Sequence, residues 1–265
     1  MRFFYDTGPD EIKEWVKEKS LPAYRAGQIL KWKQQGITSF DEMTNIPVSV
    51  RSLLSEDYYA DGVVVASRSE SKADGTVKYV LRLLDSNVVE CVLMRYSYGN
   101  SVCISSQAGC KMGCSFCASA KAGFGRDLSS GEMLFQVLAV AGDIGERISN
   151  IVVMGIGEPL DNYDELVRFI KDANDNDILG VGIRRIAVST CGLVPEMLKF
   201  TDEGLPVTLS VSLHAPNDTI RRKLMPIADR YSMDELLDAC RRHIRITGRR
   251  ITFEYILIQD RKSVV

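Results

Sequence analysis

Hydrophobic and polar positions change their spacing twice along this chain. From residue 10 to 55 the spacing is helical. Ile12, Trp15 and Val16 share one side of a first helix, Ala23 to Gln35 form a second that Gly36 stops, and Asn45-Ile-Pro47 turns the chain into a third through Leu53 and Leu54. Between Gly62 and Met94 the pattern becomes strand-like. Val63 to Val65, Val77 to Leu83 and Val88 to Met94 are short runs separated by Asp74-Gly75 and Asp85-Ser-Asn87, which reads as antiparallel hairpins.

After Ser101, apolar strands alternate with helical stretches, as a parallel sheet or barrel of α/β class requires. The predicted strands are Ser101 to Ser106, Asn150 to Met154, Arg185 to Val188, Val207 to Val211 and Ile251 to Ile258. Two of the intervening helices have marked starts, because Ser129 to Glu132 and Ser232 to Glu235 both fit the capping-box pattern. No internal repeat or low-complexity segment is present.

A chain of 265 residues can bury a sizeable core, as one large domain or a domain with a small added module. No run approaches the length of a membrane span, so a soluble, cytoplasmic protein is expected. Seven cysteines is an odd number, and the start Met1-Arg-Phe-Phe-Tyr-Asp is unlike a signal peptide, which argues against a disulfide framework. The net charge of -2 makes no global case for a nucleic-acid partner. Its distribution is uneven, with 14 Lys and Arg against 10 Asp and Glu from Gly180 onward. Arg221 to Lys223, Arg241 to Arg245 and Arg249-Arg250 are basic runs in that part. Such runs usually form solvated helix faces; they permit an RNA partner without showing one.

The sharpest chemical signal is Cys110, Cys114 and Cys117, spaced Cys-x3-Cys-x2-Cys just after the first predicted parallel strand. Three thiolates can hold three corners of a cubane iron-sulfur cluster, which leaves one iron open to a ligand from outside the protein. The alternative is a structural zinc site, but that normally needs a second Cys or His pair nearby, and His214 is some hundred residues away. Three further strands run into suggestive segments: Gly155-Ile-Gly-Glu-Pro159, Ser189-Thr-Cys-Gly192 and Ser212-Leu-His-Ala215. Singly these are weak. Gly155 and Gly157 could serve only a sharp turn, Glu158 could be a solvated loop acid, Ser189 and Thr190 could cap a helix, and His214 could be a packed core residue. Active sites of βα barrels lie at the carboxyl ends of the strands, so the segments would converge on one face. There the glycine segment and Glu158 suit an ammonium group, and the hydroxyls a ribose or carboxylate.

With these residues in view the chain resembles the radical S-adenosylmethionine (SAM) enzymes. Ser105-Ser-Gln-Ala-Gly-Cys-Lys-Met-Gly-Cys-Ser-Phe-Cys-Ala118, Met154-Gly-Ile-Gly-Glu-Pro-Leu-Asp-Asn162, Ser189-Thr-Cys-Gly-Leu-Val-Pro195, Ser212-Leu-His-Ala215 and Lys223-Leu-Met-Pro-Ile-Ala228 are similar to the bacterial dual-specificity ribosomal-RNA and transfer-RNA adenine C2 methyltransferases. The resemblance runs from about Leu21 to about Ile258. It implies a partial (βα)6 TIM-like radical SAM barrel over residues 99–265, preceded by a β-hairpin extension at 61–98 and a helical RNA-binding module at 1–60. It implies a 4Fe-4S cluster on Cys110, Cys114 and Cys117, and SAM contacts at Gly157, Glu158, Ser189, Ser212, Leu213 and His214. In the family, one SAM methylates a carrier cysteine near the carboxyl terminus, and a radical generated from a second SAM activates that methyl group for addition to adenine. The cysteine that resolves the resulting adduct aligns with Cys103, and the proton-accepting carboxylate with Glu90; without the resemblance these read as a buried strand cysteine and a surface acid. The implied partners are 23S rRNA, tRNA and an electron donor such as flavodoxin, with a monomeric protein.

One departure stands against these matches. Members of that family continue past the strand equivalent to Ile251 to Ile258 with a further helix, a sixth strand and the loop bearing the carrier cysteine. Here the sequence ends at Val265 after Gln-Asp-Arg-Lys-Ser-Val-Val, and neither Cys191, in a strand-end loop, nor Cys240, within a helix, fits the role. The expectation is a chain truncated at its carboxyl end. Two functions follow: the adenine C2 methyltransferase, or an inactive SAM- and RNA-binding remnant of it.

Overall fold

A computed structural model describes residues 1–258; the Gln259 to Val265 tail, on which part of the departure from the family was read, lies outside the described residues. The chain opens with β1 (Arg2–Phe3), α1 (Pro9–Glu18), α2 (Tyr24–Lys33) and α3 (Val48–Asp57), and β2 (Tyr58–Tyr59) returns to pair in parallel with β1. These helices are short and gain their stability from the apolar face they bury, here Ile12, Val16, Ile29, Leu30 and Leu54. Trp15 ties the first helix to the end of the third by donating from Nε1 to Asp57 at 2.8 Å.

Three antiparallel strands follow, β3 (Val63–Glu70), β4 (Val77–Leu83) and β5 (Val88–Tyr96), as the alternation predicts. They are not a free-standing hairpin. β5 pairs with β6 (Gly99–Ile104), so the three extend the same sheet that holds the later strands. Beyond β6 come the small ribbon β7 (Gln107–Gly109) and β8 (Phe124–Asp127), flanking α4 (Ala118–Lys121), and then α5 (Ser130–Ile144). The alternation continues through β9 (Ile148–Val153), α6 (Tyr163–Asn174), β10 (Ile186–Thr190), α7 (Val194–Asp202), β11 (Thr208–Ser212), α8 (Asp218–Leu224), α9 (Met233–Thr247) and β12 (Ile251–Glu254). The sheet order is β12-β11-β10-β9-β6-β5-β4-β3, with β6, β9, β10, β11 and β12 mutually parallel.

Both predicted capping boxes form. The Ser129 and Ser232 side chains accept from the backbones of Glu132 and Glu235, whose carboxylates accept in return from the serine N–H groups, at 3.0 and 2.7 Å. One face of the parallel strands is a continuous apolar layer that includes Val102, Ile104, Ile151, Val188, Leu209 and Val211, all fully buried. Strand pairing then fixes the opposite face. Val92, Cys103, Val152, Ala187 and Thr208 lie in one row across five strands, so Glu90, Ser189, Ser210, Ser212 and Glu254, each an even number of positions along, share it.

Candidate functional site

The carboxyl ends of the parallel strands surround a cleft of about 380 Å³ that contains Cys110, Cys114, Cys117, Gly157, Glu158, Ser189, Ser212 and His214. Buried polar side chains hold the strand ends in place. Gln136 of α5 accepts from Ser105 N–H at 2.8 Å and donates to Ser105 C=O at 2.9 Å, which fixes the exit of β6. Asn162 donates to the carbonyls of Ser106 and Leu128, at 2.9 and 2.7 Å. The Ile156 carbonyl accepts from both Ser106 and Gln107 N–H, pressing the glycine segment onto the chain that leads to the cysteines. That approach explains Gly157: its φ is +109°, and a Cβ there would stand 2.6 Å from Gln107 Cβ.

The three cysteines are unpaired and half-buried. Their loop is anchored by Cys110 N–H on Gly123 C=O at 3.0 Å and by Ser115 N–H on Leu224 C=O, at the end of α8, at 2.8 Å. Burial raises the Cys110 thiol and pushes Cys114 up to about 11, with the neighbouring cysteines and Glu158 adding to both shifts. Thiolates at Cys110 and Cys114 call for a strongly positive group to compensate them, which an iron-sulfur cluster supplies. Among the described residues no three His, Cys, Asp or Glu side chains form the shell of a single metal ion.

Glu158 is 3% exposed. Its carboxylate accepts from Leu160 N–H at 3.1 Å and Cys191 N–H at 2.7 Å, and burial raises its pKa above the ordinary value while those N–H groups pull it down. It is therefore a desolvated acceptor and not a solvated loop acid. His214 has a left-handed backbone, φ 54°, and its ring meets Phe116 edge-on at 5.0 Å. Its Nδ1 is fully buried and has no hydrogen-bond partner among the described residues.

The remaining predicted site residues stand apart from the cleft wall. Leu213 lies behind it, with its carbonyl accepting from Arg221. Cys103 sits on the same sheet face as Ser189 but in the row of Val152 and Ala187, two residues before Ser189 along β10, with its thiol raised by burial. Glu90 is on β5, three strands from Ser189, in an ion pair with Lys78 at 3.0 Å. Two residues that the sequence reading passed over belong to the site. Glu254 ends β12 and lines the cleft, so the last strand also delivers a chemical group. Arg221, read as part of a solvated basic run, is fully buried, and its guanidinium donates to the carbonyls of Cys191, Ser212 and Leu213. An acid inside the apolar run from Ile251 was the available signal for the first; the sequence held none for the second.

A larger groove, about 900 Å³, lies between α1 and α2 and is rimmed by Lys13, Lys17 and Lys31. It offers charge but no thiol or desolvated acid, so the chemistry belongs to the smaller cleft.

Comparison with known proteins agrees with this geometry. Residues 104–262 match the radical SAM superfamily, and residues 4–59 match the ribosomal RNA large subunit methyltransferase N-terminal domain. A probable dual-specificity RNA methyltransferase RlmN of Clostridium acetobutylicum is 48% identical over 260 residues, which is 98% of this chain and 75% of the relative. Its counterpart in Clostridium perfringens (strain 13 / Type A) is 49% identical over 259 residues, 97% of this chain and 75% of the relative. A crystal structure of a radical SAM methyltransferase from Sphaerobacter thermophilus matches with a TM-score of 0.93 at 40% identity, over 98% of this chain and 77% of that one. Fold and site together thus define a radical SAM protein, with the 4Fe-4S cluster and SAM that the superfamily uses. Within that superfamily the chain belongs to the RlmN family of RNA methyltransferases.

Proposed function

We propose that this chain is a methyltransferase acting on C2 of adenosine in 23S rRNA and tRNA. The observation that carries the reading is a single cleft at the strand ends that joins three unpaired thiols to a desolvated carboxylate. Cys110, Cys114 and Cys117 would hold the cluster, which when bound supplies the electron that cleaves SAM reductively. Glu158, already stripped of water and held by two backbone N–H groups, is arranged to receive the ammonium of SAM. Ser189, Ser212 and His214 line the side on which the adenosyl part lies, and Leu213 holds that wall from behind. Cys103, below them on the same face, takes the resolving role. Glu90 takes that of proton acceptor, which requires its ion pair with Lys78 to open once RNA is bound. RNA would be held in part by the helical module at residues 1–60, and a small donor such as flavodoxin would supply the electron to a monomeric protein. Among the described residues no helix is long and apolar enough to cross a membrane.

The test is incubation of the anaerobically reconstituted protein, joined to the family's carboxyl-terminal segment that bears the carrier cysteine, with SAM, a reductant and unmodified 23S rRNA or tRNA, followed by mass spectrometry of the nucleosides. Formation of 2-methyladenosine is expected. A methyl group at another ring position overturns the proposal, and so does intact RNA after SAM has been cleaved.

A further inference from the structure

A groove of about 270 Å³ opens at the amino ends of the parallel strands, the end opposite the thiol cleft. Tyr96 and Tyr98 line it from the side of β5. Their rings are stacked, with 8° between their planes and 4.9 Å between centroids, although Tyr96 is 47% and Tyr98 66% exposed. Two large rings stacked in water cover only each other, so an outer aromatic face stays open. Arg184 and Arg185, just before β10, line the groove from the other side; both are exposed, and neither guanidinium has an ion-pair or hydrogen-bond partner among the described residues. Arg249, before β12, reaches the same wall, where its Nη2 donates to Thr208 Oγ1 at 3.4 Å and its buried Nε has no partner among the described residues. Glu146, the acid at this end of β9, is already engaged by Arg95 at 3.7 Å and by Asn100 at 2.8 Å. Between the tyrosines and the arginines, Asn150 donates to Ser101 Oγ at 3.3 Å, which leaves its amide oxygen and one N–H for a ligand.

Stacked rings beside uncompensated guanidinium groups select among partners. An acidic peptide meets the charge but brings no flat face for the tyrosines. A nucleic-acid duplex meets the charge as well, yet its bases are closed within their own stack. A single strand satisfies both, because each nucleotide carries a phosphate and a free base face. The position of the groove on the sheet suits such a strand. Ser101 lies two residues before Cys103 on the same face of β6, roughly 7 Å along the strand, so a chain of nucleotides held in the groove leads along that face toward the cleft.

We propose that this amino-end groove seats single-stranded RNA, with a base stacked on the Tyr96 and Tyr98 pair and neighbouring phosphates held by Arg184 and Arg185. This rests on the RNA substrate of the proposed function, and it sets the nucleotides flanking the target on the face of the sheet opposite in direction to the SAM cleft.

The experiment measures fluorescence anisotropy of a labelled single-stranded oligoadenylate, about ten nucleotides long, with the anaerobically reconstituted protein over a series of salt concentrations. Tyr98→Ala should weaken binding about 5–100-fold, the contribution of one stacked base, and leave the salt slope unchanged, while Tyr98→Phe should bind like the original chain. Arg184→Gln with Arg185→Gln should weaken binding and make the slope of log K on log salt shallower by about 1.4, as expected for two phosphate contacts on a single strand. These side chains are exposed, and the iron content of each variant reports that the fold is intact. For a duplex of the same oligonucleotide with its complement, Tyr98→Ala should have no effect. Unchanged affinity in Tyr98→Ala overturns the inference, and so does an unchanged slope in the arginine pair. Polyglutamate of equal charge that competes as well as the RNA makes the groove a seat for acidic protein and overturns it. A loss seen only when Lys13, Lys17 and Lys31 are replaced by Gln puts the strand on the helical module and overturns it as well. A chain that binds neither the single strand nor the duplex overturns the RNA reading itself, a different failure from the others.

Discussion

Glu158 and Arg221 are joined through a single residue. The N–H of Cys191 donates to the Glu158 carboxylate at 2.7 Å, and the carbonyl of the same residue accepts from the Arg221 guanidinium at 2.6 Å. Two buried charges of opposite sign thus bracket the loop after β10 without touching. Each satisfies a backbone group that the interior would otherwise leave unpaired.

Arg221→Ala should therefore act on stability first. It strands the carbonyls of Cys191, Ser212 and Leu213, and an unsatisfied buried acceptor costs about 1–3 kcal/mol, offset by relief of the buried cation. A net loss of about 3 kcal/mol is expected in urea unfolding, with Arg221→Lys in between because an ammonium cannot span three carbonyls. A change below about 0.5 kcal/mol would mean that the guanidinium is idle.

The division of labour among the cleft residues is separable. Replacing Cys110, Cys114 and Cys117 with Ala should take iron from about four per chain to near zero after reconstitution. Glu158→Ala should keep the iron and weaken SAM about tenfold or more, the worth of a charged hydrogen bond. Cys103→Ala should keep both, since its thiol lies outside the cleft wall. Iron and sulfide assays with equilibrium dialysis decide each case, and loss of iron in Cys103→Ala contradicts the assignment.

How much of this was legible follows from the range of each signal. The parallel strands and both capping boxes were readable because periodicity and caps act within one element. The fate of β3, β4 and β5 was not, because alternation shows that strands pair and cannot show that β5 docks on β6. Arg221 looked like the solvated residues beside it. Only the packing of α8 beneath two strand-end loops turns that one side chain inward while Arg222 and Lys223 stay exposed. Glu254 belongs to no motif; it acquires meaning from Ser189 and Ser212 on adjacent strands, far away in sequence.

Glycine positions give a sharper contrast. At Gly157 an added methyl group meets Gln107 within 2.6 Å and the backbone is left-handed, whereas at Gly142 in α5 nothing lies within 4 Å. Gly157→Ala should lose about 2 kcal/mol or more and disturb SAM binding. Gly142→Ala should be neutral or gain up to about 1 kcal/mol from helix propensity. Urea midpoints of the two variants, measured together, check both statements.

Alkaline pH should destabilise the protein before iron is loaded. Burial pushes the Cys91 thiol up to about 12 and Cys240 up to about 11, both above the ordinary value of 9.0. A thiol is neutral when protonated, so the folded state holds these protons after the unfolded chain has released them. The stabilising contribution is complete below about pH 9 and declines as pH rises from there toward 11 and 12. Urea midpoints of the reduced, iron-free protein should therefore fall between pH 8 and pH 10. In Cys240→Ala, which no longer carries one of the two thiols, the fall should be shallower although the midpoint at pH 8 is lower, because a buried side chain has been shortened. A slope identical to that of the original chain would show that Cys240 does not titrate on unfolding.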